Sequence, residues 1–185
     1  MGVVAPNPFY TKDVETEVYE RIMLPTIKGL IKEEAPFKGC IYFGLMLTKQ
    51  GVKVIEYNCR FGDPEAQTVL PMLRSDLLDI MIATEEGRID EMPVEFKDGA
   101  SCCVVIASGG YPKKYAKGYD IDFSELFGNS PKAQEEAGFE TDGGVIVFHA
   151  GTTVTHENGD SVYRTNGGRV LNVVVTANAD RKSVV

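Results

Sequence analysis

The sequence predicts an α+β chain, with helices in its first half and short antiparallel strands in its second. Three observations predict this: an early 3.6-residue apolar period, two apolar runs joined by a glycine-bearing tetrapeptide, and four short apolar runs separated by glycine pairs beyond residue 100. Residues 13–34 read as an amphipathic helix, with Val14, Val18 and Ile22 four apart, Thr11 as N-cap, and Asp13 and Glu15 in the first turn. Pro25 removes an amide donor, so a kink or break is expected there, with Ile27, Leu30 and Ile31 continuing the apolar face. Residues 39–47 and 52–59 read as a β-hairpin closed by Thr48-Lys49-Gln50-Gly51. Asp63 reads as the cap of a helix with Pro64 at its first position, and a further helix runs from Ser75-Asp76 to a stop at Gly87. Strands are expected over 102–107, 145–150, 161–164 and 169–176, with a polar excursion over 111–141. A boundary near Asp98 divides the chain into domains 1–98 and 99–185.

Composition narrows the function classes. The chain has 185 residues, 43% of them hydrophobic, and a net charge of −8. That is enough to bury a core, and it is unlike a disordered or collagenous composition. The acidic balance gives no excess of Lys and Arg to neutralise phosphates, so neither nucleic acid nor an anionic membrane is an expected partner. Lys113-Lys114-Tyr115-Ala116-Lys117 reads as a wet loop rather than an RNA site. No run approaches 18 apolar residues and no basic flank precedes an apolar run, so no membrane span or signal peptide is expected. The four cysteines form no spaced framework, which favours a reducing, cytoplasmic compartment.

The residues that carry chemistry lie at the end of the second hairpin strand. Side chains alternate along a strand, so Glu56, Asn58 and Arg60 are expected on one side, about 7 Å apart. A carboxylate and an amide carbonyl are hard oxygen donors suited to Mg²⁺, and an arginine grips phosphate with two donors. The same alternation also fits a half-exposed sheet whose polar face merely meets water. Phe61-Gly62-Asp63-Pro64-Glu65 follows directly, with a glycine and then acids beside the presumed metal.

Val54-Ile55-Glu56-Tyr57-Asn58-Cys59-Arg60-Phe61-Gly62-Asp63-Pro64-Glu65 resembles the signature of the glycinamide ribonucleotide synthetases, the phosphoribosylamine-glycine ligases of the ATP-grasp superfamily. Met1-Gly2 with Ala5-Pro6 resembles the end of that family's Gly-Gly-Met-Gly loop. Ala107-Ser108-Gly109-Gly110-Tyr111-Pro112, Val147-Phe148-His149-Ala150-Gly151-Thr152 and Gly167-Gly168-Arg169-Val170-Leu171 resemble the three glycine loops of its C-terminal domain. The resemblance implies the C-terminal half of an ATP-grasp domain followed by a small antiparallel β domain of barrel-sandwich type. It implies that Glu56 and Asn58 hold Mg²⁺, or Mn²⁺, on ATP phosphates, that Arg60 contacts the transferred phosphoryl group or a substrate phosphate, and that Asp63 orients a substrate amine. Gly2, Pro64, Glu65, Gly109, Gly110, His149, Gly151, Thr152, Gly167, Gly168 and Arg169 become substrate-side residues. The implied reaction joins glycine to 5-phosphoribosylamine through glycyl phosphate at the expense of ATP. The match begins inside the family's enzyme, so its N-terminal domain, its lid and the helices after Arg181 are expected as missing partners, and the chain alone is expected to be inactive. Leu45-Met46-Leu47 supplies no further metal-binding acid, which leaves one or two metals.

Plainer readings accompany these. His149, at the end of an apolar run, reads as a hydrogen-bonded structural residue, and His156 as solvated. Cys40, Cys59, Cys102 and Cys103 lack Cys-x-x-Cys spacing and read as small buried hydrophobes on strands. By themselves, Gly109-Gly110, Gly143-Gly144, Asn158-Gly159 and Gly167-Gly168 read as hairpin turns. Two other functions compete: a different ATP-grasp ligase, against which the Arg60-to-Glu65 run argues, and a biotinyl- or lipoyl-type carrier, which would need a lysine where the tip reads Glu157-Asn158-Gly159-Asp160.

Overall fold

A computed structural model of the chain describes residues 1–124, 139–140, 144–157 and 159–177. Residues 125–138 and 141 of the excursion expected over 111–141 lie outside the described residues, as do Gly143, Asn158 and Arg181. The chain forms two compact units. One comprises Pro6–Ala66 and Leu73–Lys97, the other Met1–Ala5, Gln67–Met72 and Asp98–Val185.

The first unit starts with α1 (Lys12–Val18), where Thr11 Oγ1 accepts from the Val14 amide. The helix does not break at Pro25. A π-helical turn (Tyr19–Met23) leads directly into α2 (Leu24–Lys32), and the Leu24 amide reaches back five residues to the Tyr19 carbonyl. Widening the turn ahead of the proline accommodates the missing donor while the backbone stays helical. Val18 and Ile22 then bury against Val52, with Val14, Phe43 and Leu45 around them. The expected continuation of this face fails at Ile27, 39% exposed, and at Ile31, 60% exposed, while Leu30 is half-buried.

The hairpin consists of β2 (Tyr42–Thr48) and β3 (Gly51–Asn58), with Gly51 at positive φ as expected. Glu17 ties it to α1, accepting from the Val52 amide at 3.2 Å while Arg21 Nη1 holds the same oxygen at 2.7 Å. One feature was not legible in the spacing. Gly44 pairs with Glu56 but Leu45 pairs with Val54, so Ile55 is an extra residue and the strand carries a β-bulge. Helix α3 (Glu65–Val69) begins at the residue after Pro64, so Pro64 precedes the helix instead of opening it. Helix α4 (Leu77–Glu86) matches expectation, with Asp76 Oδ1 accepting from the Leu78 and Asp79 amides and Gly87 left-handed at its end.

The second unit holds a five-stranded antiparallel sheet in the order β1-β4-β10-β7-β6 and a three-stranded one in the order β5-β9-β8. The strands are β1 (Gly2–Ala5), β4 (Ala100–Ala107), β5 (Asp120–Ile121), β6 (Phe139–Glu140), β7 (Val145–His149), β8 (Thr152–Glu157), β9 (Asp160–Thr165) and β10 (Arg169–Ala177). Both sheets contribute to one core of Phe123, Val147, Val170 and Leu171, joined by Ile121 and Tyr163. Among the described residues of this unit, the consecutive strands that pair are β6 with β7 and β8 with β9. Gly109-Gly110 and Gly167-Gly168 are therefore not hairpin turns, because β4 pairs with β1 and β10, and β9 and β10 lie in different sheets. The cysteine expectation is corrected in part: Cys103 is buried on β4, but Cys59 and Cys102 are exposed, and Cys40 and Cys59 lie just outside the hairpin strands. Among the described residues no group of three or more His, Cys, Asp or Glu is placed to hold a metal.

His149 is packed among aromatic rings and hydrogen-bonded. It stacks on Tyr163 with ring centroids 5.2 Å apart, meets Phe123 edge-on at 5.7 Å, and places Nδ1 3.0 Å from Thr152 Oγ1. Burial lowers its pKa below 6.5. The unfolded chain therefore binds the proton more readily, so stability rises with pH through the window between the lowered value and 6.5, and falls as the pH drops through it.

Two outcomes are expected. Val18→Ala lowers unfolding stability by about 2 kcal/mol in urea titrations, whereas Ile27→Ala changes it by less than about 0.5 kcal/mol. Replacing His149 with Gln flattens the loss of stability between about pH 7 and about pH 5, and an unchanged slope would show that His149 does not carry it.

Candidate functional site

The bulge decides where the hairpin's polar side chains point. Phe43, Leu45 and Val52 pack toward α1, and their partners across the ladder are Tyr57, Val54 and Leu47. Without the extra residue, Glu56 would have the parity of Val52 and point at the same core. With it, Glu56 stands opposite Gly44, and Asn58 opposite Tyr42, on the other face. Asn58 Nδ2 donates to Glu56 Oε1 at 3.0 Å, which leaves Asn58 Oδ1 and Glu56 Oε2 as oxygen donors on one side. A Cβ on Gly44 would lie 2.8 Å from Glu56 Cγ, so the glycine gives the Glu56 stem room to lie across β2.

The structure brings Glu56 and Asn58 together but does not bring Arg60 to them. β3 ends at Asn58, so strand alternation no longer governs Arg60, and its exposed guanidinium donates from Nη1 to the Phe61 carbonyl at 2.8 Å. Asp63 is exposed in the turn before α3, and Pro64 is buried. Glu65 accepts from the Tyr42 hydroxyl at 3.0 Å. Burial first, then that hydrogen bond and the charges of Glu65 and Glu56, push the Tyr42 phenol up to about 12, so it is a neutral donor at any physiological pH. Sequence reasoning missed Tyr42. Counting back from the turn pairs it with Tyr57, and only the bulge moves it opposite Asn58.

In the second unit the three glycine loops converge at one end of the five-stranded sheet. Ser108 donates its amide to Gly168 O and its hydroxyl to Gly167 O, each at 2.8 Å, and the Gly151 amide donates to Arg169 O at 2.8 Å. The Asn166 amide donates to Gly151 O at 2.6 Å. Gly109, Gly110, Gly151, Thr152, Gly167, Gly168 and Arg169 thus share one neighbourhood, with His149 leading into it through Thr152. A second bulge sits here: Arg169 pairs with Ala107 but Leu171 with Ile106, so Val170 is the extra residue. Val170 and Leu171 both enter the core, and Arg169 takes the opposite face, where its Nε donates to the Tyr111 hydroxyl at 3.2 Å. Gly168 has no room for a side chain, since a Cβ would overlap the Tyr111 ring. A cavity of about 630 Å³ beside the loops is lined by Ser108, Gly109, Asp120, Asp122 and Thr165 among others. Gly2 lies in β1 opposite Val104, inside the sheet rather than in a loop.

Comparison with known proteins gives this arrangement a context. Residues 1–66 match the family description "Phosphoribosylglycinamide synthetase, ATP-grasp (A) domain" and residues 101–183 match "Phosphoribosylglycinamide synthetase, C domain". A phosphoribosylamine–glycine ligase of Fusobacterium nucleatum is 42% identical over 184 residues, covering 100% of this chain and 40% of that protein. The trifunctional purine biosynthetic protein adenosine-3 of Gallus gallus is 43% identical over 94% of this chain and 16% of its own length. The crystal structure of a phosphoribosylamine–glycine ligase from Thermotoga maritima superposes with a TM-score of 0.67 at 29% identity, over 98% of this chain and 40% of that one. The chain therefore spans about two fifths of the length of the single-function relatives it matches. With two family descriptions covering most of its residues and a solved relative sharing its α+β fold, the chain belongs to the phosphoribosylglycinamide synthetase family.

Proposed function

We propose that this chain supplies the metal-strand and C-domain portion of an ATP-dependent ligase that joins glycine to 5-phosphoribosylamine, giving glycinamide ribonucleotide, ADP and phosphate. The observation that carries the reading is the Glu56–Asn58 pair, turned off the core face by the bulge and followed at once by Gly62-Asp63-Pro64-Glu65. In this reading residues 1–98 form the ATP-grasp part and residues 99–185 the C-terminal domain. The protein acts in the cytoplasm; among the described residues no helix is long and apolar enough to cross a membrane.

The donor chemistry fits a hard divalent cation: the two side chains offer one carboxylate oxygen and one amide oxygen from the same strand face, with the remaining Glu56 oxygen fixed by Asn58. Mg²⁺ or Mn²⁺ held there would offset phosphate charge during transfer of the γ-phosphoryl group to the glycine carboxylate. Arg60 lies beyond the strand end on an exposed bend, so its guanidinium swings toward a phosphate once one is bound. Asp63, exposed beside it, accepts from the attacking amine. The glycine loops and Arg169 take the sugar phosphate of the second substrate through backbone amides and a guanidinium fixed by Tyr111. Exclusion of water protects the acyl phosphate, and the remaining length of the relatives is proposed to supply that cover, so the 185 residues alone are inactive.

The direct assay mixes the protein expressed from its natural gene with ATP, Mg²⁺, glycine and phosphoribosylamine. Glycinamide ribonucleotide is expected, its formation stops with a chelator and returns with Mg²⁺ or Mn²⁺, and Glu56→Gln lowers kcat by about a hundredfold or more. Full activity in Glu56→Gln would remove the metal-strand reading. The 185-residue chain assayed alone is expected to make no product at enzyme-like rates, and turnover by it would refute the division of labour.

A further inference from the structure

We propose that Tyr42 is a positioning residue: its hydroxyl holds the Glu65 carboxylate against Gly62, on the face that carries Glu56 and Asn58. The kinetic arm of this inference rests on the ligase reading and deepens it, because it assigns a task to a residue outside the Glu56-to-Glu65 run.

The geometry fixes both oxygens of one carboxylate. Tyr42 Oη donates to Glu65 Oε1 at 3.0 Å. The other oxygen, Oε2, occupies the space over Gly62, where a Cβ would overlap it. Glu65 has three side-chain torsions to immobilise, and a donor on one oxygen with a contoured floor under the other leaves one orientation. Tyr42 itself is anchored, since it sits in β2 directly across the ladder from Asn58 and is half-buried. Cross-strand partners share a face, so the phenol, the Glu56–Asn58 pair and the Glu65 carboxylate stand together. β2 (Tyr42–Thr48) carries no acid along its length. It offers a neutral donor instead and captures an acid from the next element. A phenol contributes no charge of its own, so the carboxylate keeps its full negative charge for a substrate group while losing its freedom to turn.

The test is a double-mutant cycle in the protein expressed from its natural gene, with a structural control on the full 185-residue chain. Tyr42→Phe is expected to lower kcat/KM about tenfold through the KM of the substrate that Glu65 contacts, leaving the KM for ATP and the melting temperature unchanged. Glu65→Gln is expected to cost at least as much, and Tyr42→Phe added to Glu65→Gln should cost nothing further. Gly62→Ala, which displaces the same carboxylate from its other side, should reproduce the Tyr42→Phe phenotype and serves if Tyr42→Phe fails to fold. Wild-type kinetics in Tyr42→Phe, equal rises in every KM, or losses that multiply in the double variant would overturn the proposal. If the wild-type protein makes no product, the ligase reading fails separately, and fluorine NMR of a fluorotyrosine at position 42 decides the contact. Its resonance should move in Glu65→Gln and in Gly62→Ala, and a resonance unmoved in both would remove the Tyr42–Glu65 link.

Discussion

Residues two apart share a face on a regular strand, so a strand that buries one residue and turns a charged residue of the same parity outward must break its alternation, and this chain does so twice. In β3 the extra residue Ile55 separates the parity of Val52, which is buried against α1, from that of Glu56 and Asn58. In β10 the extra residue Val170 separates Leu171, buried between two sheets, from Arg169. Had either ladder stayed regular, a carboxylate or a guanidinium would have faced apolar side chains, where an unpaired charge is too costly to keep. Each bulge thus converts a core strand into one that serves the core at one end and a polar site at the other.

What surrounds each bulge follows from it. On the hairpin, bringing Glu56 opposite residue 44 requires that residue 44 be glycine, because the Glu56 stem passes through the space a Cβ would fill. The shift also brings Tyr42 opposite Asn58, and from there its hydroxyl reaches Glu65 on the following helix. In the second unit, turning Arg169 outward brings its Nε to Tyr111, and the tyrosine ring in turn excludes any side chain at Gly168. The two places share three parts: a bulge that turns a charged side chain off the core face, a glycine whose missing Cβ makes room for a neighbouring side chain, and a tyrosine hydroxyl hydrogen-bonded to a charged group nearby.

Helix α1 and the turns show how far pattern alone carries. Val14, Val18 and Ile22 at fourfold spacing, the Thr11 cap, the Asp76 cap and the Gly87 stop were all legible, because caps and periodic faces are local arrangements of backbone donors and apolar groups. Pro25 marked an irregularity correctly but not its form: in place of a break, a π turn ahead of the proline absorbs the missing donor. Gly109-Gly110 and Gly167-Gly168 also misled when read as hairpin turns. Local chemistry marks a reversal of the chain, but whether the two flanking strands pair depends on which distant strand each one finds.

While β1, β5, β6 and β8 were not legible in it, the sequence by itself determined α1, the β2–β3 hairpin, α4, the strands β4, β7, β9 and β10, and the chemical vocabulary of the site in Glu56, Asn58 and the glycine runs. Those follow from side-chain type and spacing, which neighbours along the chain settle. Only the tertiary structure decided that Arg60 lies past the strand, that three separate glycine loops meet at one sheet end, and that Tyr42 and Tyr111 hold acids and arginines in place. Register across a ladder depends on packing against a partner element, and one inserted residue reverses every face beyond it without leaving a mark in composition or period.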